Sequence, residues 1–456
     1  MRKTKIVATL GPATASYGKI SSLIKAGVNV FRLNFSHGDL PSFSKMISLI
    51  KRARQKLGDP VAIMQDLQGP KIRVAGLKQP ISVKRGEVIE IRSPGSGVRN
   101  QNIQIDFKNL YRYVKRGQKI LINDGMVQLR INEIKNKAIL CSVTAGGEIA
   151  PRKGVNLPGV KLPVASLTPN DRKNLKFGLK NGVDIVCLSF VRDAKDMKVL
   201  NSLIKTKNRP LAIAKIEKPE ALKEINSILD VSDGVMVARG DLAVEAGYRA
   251  VPAAQKKIIE QANAKGKLVI VATQMLESMI NNPYPERAEI TDVYNAVLDG
   301  TDAVMLSGET SVGKYPEKTV RVMSGIIKEA EKMPPVPGCG VYCVTKKDDE
   351  YKNALSSAAV MTAGKMKNSV IAVNVETQED IRYISDQRPA CQIIALAKDE
   401  AIYRKLAMFH GANPILAKGG ITQAIKAIKK DFKGAGKVVY VDFHGHGKTR
   451  GAIQVY

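Results

Sequence analysis

Eight short apolar, β-branched runs, alternating with stretches of helical periodicity in all but one interval, constrain this chain more than any other feature. They are KIVATL (Lys5–Leu10), VNVFRL (Val28–Leu33), VAIMQD (Val61–Asp66), VDIVCL (Val183–Leu188), LAIAKI (Leu211–Ile216), GVMVA (Gly234–Ala238), KLVIVA (Lys267–Ala272) and DAVML (Asp302–Leu306). Runs with so little polar alternation read as parallel strands buried on both faces. Segments such as Lys195–Lys205, Pro219–Leu229 and Ala253–Ala264 supply amphipathic helices between them. Eight such strands with helical crossovers predict an α/β fold, a (β/α)8 barrel.

The spacing is broken once. Between Asp66 and Val183 the pattern changes to ISVKRGEVIEIR, QKILINDGMVQLRINEI and KAILCSV, short alternating strands punctuated by Gly and turn residues. This predicts a small all-β insertion after the third barrel strand. The Pro/Gly-rich MPPVPG (Met333–Gly338) reads as a linker. Beyond it SVIAVNV, CQIIALA, NPILA and KVVYVDF alternate with helices, as in an open α/β domain. The expected organisation is a barrel from 1–69 and 163–333, an inserted β-barrel domain at 70–162, and a C-terminal α/β domain at 339–456.

Composition excludes several classes. With 456 residues and 44% apolar content the chain can bury several cores, and no apolar run reaches the ~18–20 residues of a membrane span. The N-terminal apolar stretch is too short for a signal peptide. Five scattered cysteines read as reduced thiols, hence a cytoplasmic protein. Cys339 and Cys343 lack the further ligands of a zinc site. The net charge of +30 raises nucleic-acid binding as an option, but aromatics are 5% and Trp is absent, so base stacking is poorly served. The excess is densest in residues 70–162, where 18 Lys+Arg stand against 6 Asp+Glu, a net +12. Such a surface suits anionic substrates.

Polar residues stand at the C-terminal end of every predicted strand, where enzymes of this fold build their sites. They are Thr9; Arg32 with Asn34, Ser36 and His37; Asp66; Ser189; Lys215 with Glu217; Arg239 with Asp241; Thr273 with Gln274; and Ser307 with Glu309. Glu217 and Asp241 are hard oxygen ligands suited to Mg²⁺. Lys215, two residues before Glu217 on an extended segment, projects to the same face and can offset charge on a transferring phosphoryl group. Arg32 offers a planar fork for phosphate or carboxylate. Gly240 lets a backbone N–H approach an anion closely. Together they indicate Mg²⁺-dependent chemistry on a small phosphorylated acid. Other signals are discounted. GKT at Gly447–Thr449 lacks the upstream Gly of a phosphate loop, His410 reads as structural, and His444 and His446 have no other metal-type ligands near them in sequence.

Long motifs carry a family resemblance. KTKIVATLGPAT, FRLNFSHG (Phe31–Gly38), DLQGPKIR (Asp66–Arg73), AKIEKPEAL (Ala214–Leu222), MVARGDLAVE (Met236–Glu245), ATQMLESMI (Ala272–Ile280) and RAEITDVYNAVLDGTDAVMLSGET (Arg287–Thr310) resemble pyruvate kinase, in order, to beyond Pro316. The resemblance implies phosphoryl transfer from phosphoenolpyruvate to ADP, giving pyruvate and ATP, with Mg²⁺ (or Mn²⁺). It implies that Arg32 holds the transferred phosphate and Lys215 stabilises its transition state, while Glu217 and Asp241 bind the metal. Gly240, Asp241 and Thr273 would hold the carboxylate, and Asn34, His37 and Arg73 would lie on the nucleotide side. The insertion would be a lid, and the molecule a homotetramer without nucleic-acid or membrane partners.

Departures from the family pattern are informative. Asn170 stands where many members place a nucleotide-contacting Lys, Glu286 where Thr is usual, and Ala243 where Gly is usual. Potassium-dependent members hold K⁺ at the positions of Asn34, Ser36, Asp66 and Leu67. They carry Thr and Lys where this chain has Leu67 and Gln68, and Glu where it has Lys71. With Val74 the combination resembles the potassium-independent, bacterial-type branch, in which Lys71 would serve as an internal cation and K⁺ would not be required. A Mg²⁺-dependent 2-oxo-acid lyase or aldolase on the same barrel is the alternative, and an idle RNA-binding protein a more distant one.

Overall fold

The computed structural model describes residues 2–94, 102–333, 350–417, 421–431, 436–444 and 451–456. Eight parallel strands close into a barrel, the first pairing with both the second and the last. They are Lys5–Thr9, Val30–Asn34, Ala62–Leu67, Ile185–Leu188, Leu211–Ile216, Gly234–Ala238, Leu268–Ala272 and Ala303–Leu306, within two residues of the sequence expectation at either end. Alternate residues face opposite ways: Ile6 and Ala8 pack outward with the helices, whereas Val7 joins Val30, Met64, Ile213 and Met236 in a separate inner cluster. Both faces are dry, which is why the strands lack polar alternation.

A repeated device fixes the lower rim. Asn29, Asp184, Asp233 and Asp302 stand just before the second, fourth, sixth and eighth strands. Each accepts the backbone N–H of a neighbouring strand, from Ile6 (3.0 Å), Ile63 (2.9 Å), Ala212 (2.7 Å) and Val269 (2.8 Å). Each is also held by an arginine: Arg2, Arg404, Arg209 and Arg388 respectively. Four strand ends that would leave donors without partners are thereby satisfied.

The insertion leaves the barrel after Leu67 and returns at the helix Pro169–Lys180. Its main sheet has seven strands, and a bridge between Arg73 and Gly154 brings its two edge strands together around Ile91, Ile103, Leu129 and Val143. Asp171 ties the two chain crossings. Its carboxylate accepts from the Thr168 N–H (3.0 Å) and from Gly69 N–H (3.3 Å).

The C-terminal sheet orders Ala412–Leu416, Gln392–Ala397, Ser369–Val375, Lys437–Asp442 and Ala452–Val455, the last strand antiparallel. It docks under the barrel. Arg382 donates to Gly266 O (2.8 Å) and Asp233 O (2.7 Å), and Lys5 Nζ donates to Ala412 O (2.6 Å). The predicted linker lies almost wholly outside the described residues, as do Cys339, Cys343, His446 and Gly447–Thr449. His410 is buried and structural, its carbonyl accepting from Ser385. His444 departs from expectation. Folding brings Asp380 (2.9 Å) and Glu376 (3.7 Å) to its ring, contacts invisible in sequence, although among the described residues no group of three or more His, Cys, Asp or Glu is arranged so that it could hold a metal ion.

Candidate active site

The upper rim concentrates an alternating chain of buried charge. Arg32, at the end of the second strand, grips Asp66 of the third through Nε (2.8 Å) and Nη2 (2.7 Å), and donates to Thr9 Oγ1 (3.0 Å). Lys215 of the fifth strand lies 3.4 Å from Asp66, 2.9 Å from Glu217 and 2.8 Å from Ser189 Oγ. Glu217 also accepts the Phe190 N–H at 2.7 Å. Asp66 and Glu217 are each 1% exposed, and Arg32 and Lys215 each 8%.

Burial and charge set the ionisation of this group. Burial opposes ionisation of Asp66, but Lys215 and Arg32 outweigh it and hold the carboxyl below its ordinary value. Burial likewise works against the Lys215 ammonium, and Asp66 with Glu217 reverses the effect, leaving its pKa raised. Glu217 is pushed up, first by burial and then by Asp241, with Lys215 opposing. Lys215 is therefore a fixed cation, while Glu217 and Asp241 are near enough for the charge of one to raise the pKa of the other. Two neighbouring hard-oxygen donors fit a divalent cation, which takes one or two carboxylates and leaves the rest of its shell to water and substrate oxygens.

Beside the pair begins the helix Arg239–Ala246, with no side-chain cap, so its first N–H groups and dipole face the rim. Gly240 N–H meets Thr273 Oγ1 at 2.8 Å. A Cβ on Gly240 would come no closer than 3.7 Å to the protein, so packing does not demand glycine here. Its absence of side chain leaves room above the rim. Thr273 and Gln274 both adopt left-handed backbone, φ 71° and 53°, a conformation costing on the order of 1–3 kcal/mol for a non-glycine residue.

A second cationic group flanks the chain. His37 is depressed below its ordinary pKa, by desolvation first and then by Arg73, Lys71 and Arg32, which reports their convergence. Asn34 Oδ1 accepts the Ser36 N–H (3.2 Å), and Arg73 donates to Arg152 O (2.9 Å). Asp66 is already saturated by Arg32 and Lys215, and Lys71 Nζ instead stands 3.8 Å from Asp241 Oδ1. Leu67 is fully buried, its carbonyl accepting from Ser189.

Not every rim residue joins the site. Glu309 is fully buried and spends its carboxylate on the backbone of Ser307 (2.7 Å) and Leu276 (3.1 Å). Sequence position alone could not separate it from Glu217. Glu245, buried and one helical turn after Asp241, lies next to the site and binds Lys218 (2.9 Å) and Asn156 of the insertion (2.8 Å), a junction that the sequence motifs do not single out. Its i+4 spacing from Asp241 was the available signal.

The family model for the pyruvate kinase barrel domain matches residues 1–320, and that for the pyruvate kinase alpha/beta domain matches residues 353–443. Pyruvate kinase 2 of Synechocystis is 42% identical over 421 residues, covering 91% of this chain and 71% of that one. The pyruvate kinase of Clostridium acetobutylicum is 38% identical over 455 residues, covering 97% and 96%. A crystal structure of a Cryptosporidium parvum pyruvate kinase superposes with a TM-score of 0.93 at 34% identity, covering 100% of this chain and 96% of the other. Likeness of this extent in sequence and in fold settles the family: the chain belongs to the pyruvate kinases.

Proposed function

We propose residue roles for a reaction that membership of the family establishes, the transfer of the phosphoryl group of phosphoenolpyruvate to ADP to give pyruvate and ATP. The observation that carries the assignment is the buried chain Arg32–Asp66–Lys215–Glu217. Two cations locked by carboxylates cannot reorganise when charge moves, which makes them a preorganised cradle for a phosphoryl group. Arg32 holds the phosphate and Lys215 stabilises it in flight. Glu217 and Asp241 would hold Mg²⁺ (or Mn²⁺), which would supply neutralising charge for the transferred phosphate. Gly240 and Asp241, through backbone N–H groups, and the Thr273 hydroxyl orient the carboxylate. Thr273 also stands on the path by which the enolate is protonated.

Asn34, His37 and Arg73 serve the nucleotide. The insertion acts as a lid whose +12 charge attracts and then encloses the anions, excluding water. Lys71, beside Asp241 rather than Asp66, supplies through a tether the charge that a monovalent cation would bring near the phosphate, so K⁺ is not required. Its contact with Asp241 supports a role beside the reacting groups. We assign the molecule to the cytoplasm as a homotetramer acting without nucleic-acid or membrane partners. Pyruvate release followed with and without ADP and divalent metal tests the whole. Loss of phosphoenolpyruvate that ignores ADP would favour a lyase instead.

A further inference from the structure

We propose that Arg239 is a positioning residue for Thr273: its guanidinium holds the left-handed turn at 273–274 and thereby keeps the Thr273 hydroxyl against the Gly240 amide. The proposal rests on the reading of Thr273 as the group that orients the substrate carboxylate.

Arg239 is spent entirely inside the protein. Its Nε lies 3.3 Å from Ala272 O and 3.2 Å from Thr273 O, and its Nη2 lies 2.7 Å from Thr273 O and 3.2 Å from Gln274 O. Nη1 is anchored on Asp292 Oδ1 at 2.7 Å and reaches Gln255 Oε1 at 3.4 Å. Its side chain is 10% exposed. Three successive carbonyls can meet one cation only where the backbone turns sharply, because along an extended strand they alternate in direction. Thr273 and Gln274 provide that turn by adopting positive φ. For a β-branched residue such as Thr273 this is an outlier that needs an external cause. A planar, permanently charged fork supplies one, since its donors fit several acceptors at once.

The consequence reaches the site by a short path. Thr273 Oγ1 donates to Ala272 O at 2.6 Å and accepts the Gly240 N–H at 2.8 Å. Arg239 is the residue before Gly240, so one side chain fixes both partners of the proposed carboxylate cradle. Asp292, on the helix Arg287–Leu298, adds a third element to the clamp.

The test compares steady-state kinetics with proton exchange at the pyruvate methyl, read by NMR in D₂O with Mg²⁺ present. Arg239→Met should raise KM for phosphoenolpyruvate at least tenfold and slow methyl exchange at least as much, leaving KM for ADP within about threefold. Gln274→Gly added to Arg239→Met should recover a substantial part of both losses, because glycine adopts the left-handed turn without help. A merely structural role would lower the active fraction without moving the ratio of the two KM values, and glycine would not rescue it. Asp292→Asn, which weakens the anchor alone, should shift the same ratio less, and carries the test if Arg239→Met fails to fold. An unchanged phosphoenolpyruvate KM in Arg239→Met, or no recovery with glycine, overturns the proposal. Thr273→Ala identifies which reading failed. If it too leaves phosphoenolpyruvate binding and exchange intact, the role given to Thr273 is wrong. If it impairs both while the Arg239 variant does not, the clamp alone is wrong.

Discussion

At the scale of single residues, Lys215 shows how environment assigns a role. Its ammonium is held charged by Asp66 and Glu217, so it is a poor proton donor and a good electrostatic partner. We expect Lys215→Met to lose several powers of ten in phosphoenolpyruvate turnover, each ~1.4 kcal/mol of barrier, while enolisation of pyruvate survives better. Equal loss of both, measured by coupled assay and methyl exchange, would mean that the lysine moves the proton. Lys71 makes the second test. Activity should persist when K⁺ is replaced by a tetraalkylammonium salt at equal ionic strength, and a fall of tenfold or more would count against the tethered cation. Lys71→Glu should create dependence on K⁺, or abolish activity because Leu67 offers no hydroxyl to complete the pocket. The residue types at this site were legible from sequence because rim position and chemistry coincide. The partner of Lys71 was not, since Asp241 lies 170 positions away and the choice between it and Asp66 depends on which carboxylate is already saturated.

At the scale of elements, legibility followed burial. The eight barrel strands could be read because each is buried on both faces, whereas Ala452–Val455, a half-exposed edge strand, carries no apolar run and was missed. The periodicity of Pro219–Leu229 predicts one amphipathic helix, but the segment folds as Pro219–Lys223 and Ile225–Asp230, broken at Glu224. The ring of Asn29, Asp184, Asp233 and Asp302 was present in GVNV, VDIV, SDGV and TDAV, yet means nothing until alternate strand ends are known to share a rim. Lys5 offers a test at this scale, since it seals the first strand against the C-terminal sheet. Its pKa is pushed down to about 7 by burial and by Arg2, with Glu331 opposing. Between pH 7 and about 10.5 the unfolded chain therefore binds this proton more strongly than the folded one, so stability rises with pH across that window. In Lys5→Met that contribution vanishes, and the Tm of the native protein should gain on the variant from pH 7.5 to 10. Parallel Tm profiles would show that the amine is not desolvated. The loop after Ser369–Val375 gives another expectation. Asp380 is fully buried and occupies the backbone N–H groups of Glu376 (3.0 Å) and Thr377 (2.8 Å) with its own carboxylate. A phosphate would meet that charge, so a phosphorylated effector such as fructose 1,6-bisphosphate should not be held by this loop and should not activate strongly. A large drop in the half-saturating phosphoenolpyruvate concentration on adding it would refute this.

At the scale of the whole molecule, the barrel is held differently at its two ends. Below, arginines of the C-terminal domain reach carbonyls and carboxylates of the barrel floor, as in Arg382 with Gly266 and Asp233, Arg388 with Asp302, and Arg404 with Asp184. Above, the insertion meets the barrel at Glu245, where Asn156 Nδ2 and Lys218 Nζ converge on one oxygen. Glu245 shares a helix with Asp241, and Lys218 directly follows Glu217, so both carboxylates proposed to hold the metal are covalently close to the junction that seats the insertion. Docking of the insertion and placement of the two carboxylates should then be coupled. A hydrogen bond to a charged group contributes ~1.5–3 kcal/mol, enough for Asn156→Ala to lower the ratio of docked to undocked insertion about tenfold or more. We expect the variant to raise KM for both phosphoenolpyruvate and ADP, and to weaken Mg²⁺ activation. It should also speed hydrogen exchange in residues 150–165 while leaving the barrel strands protected. The double variant Asn156→Ala, Glu245→Gln should cost less than the sum of the single changes, since the two residues share one contact. Additive losses with unchanged exchange would show that the insertion is seated elsewhere, and that the Asn156–Glu245 contact does not link its docking to the site.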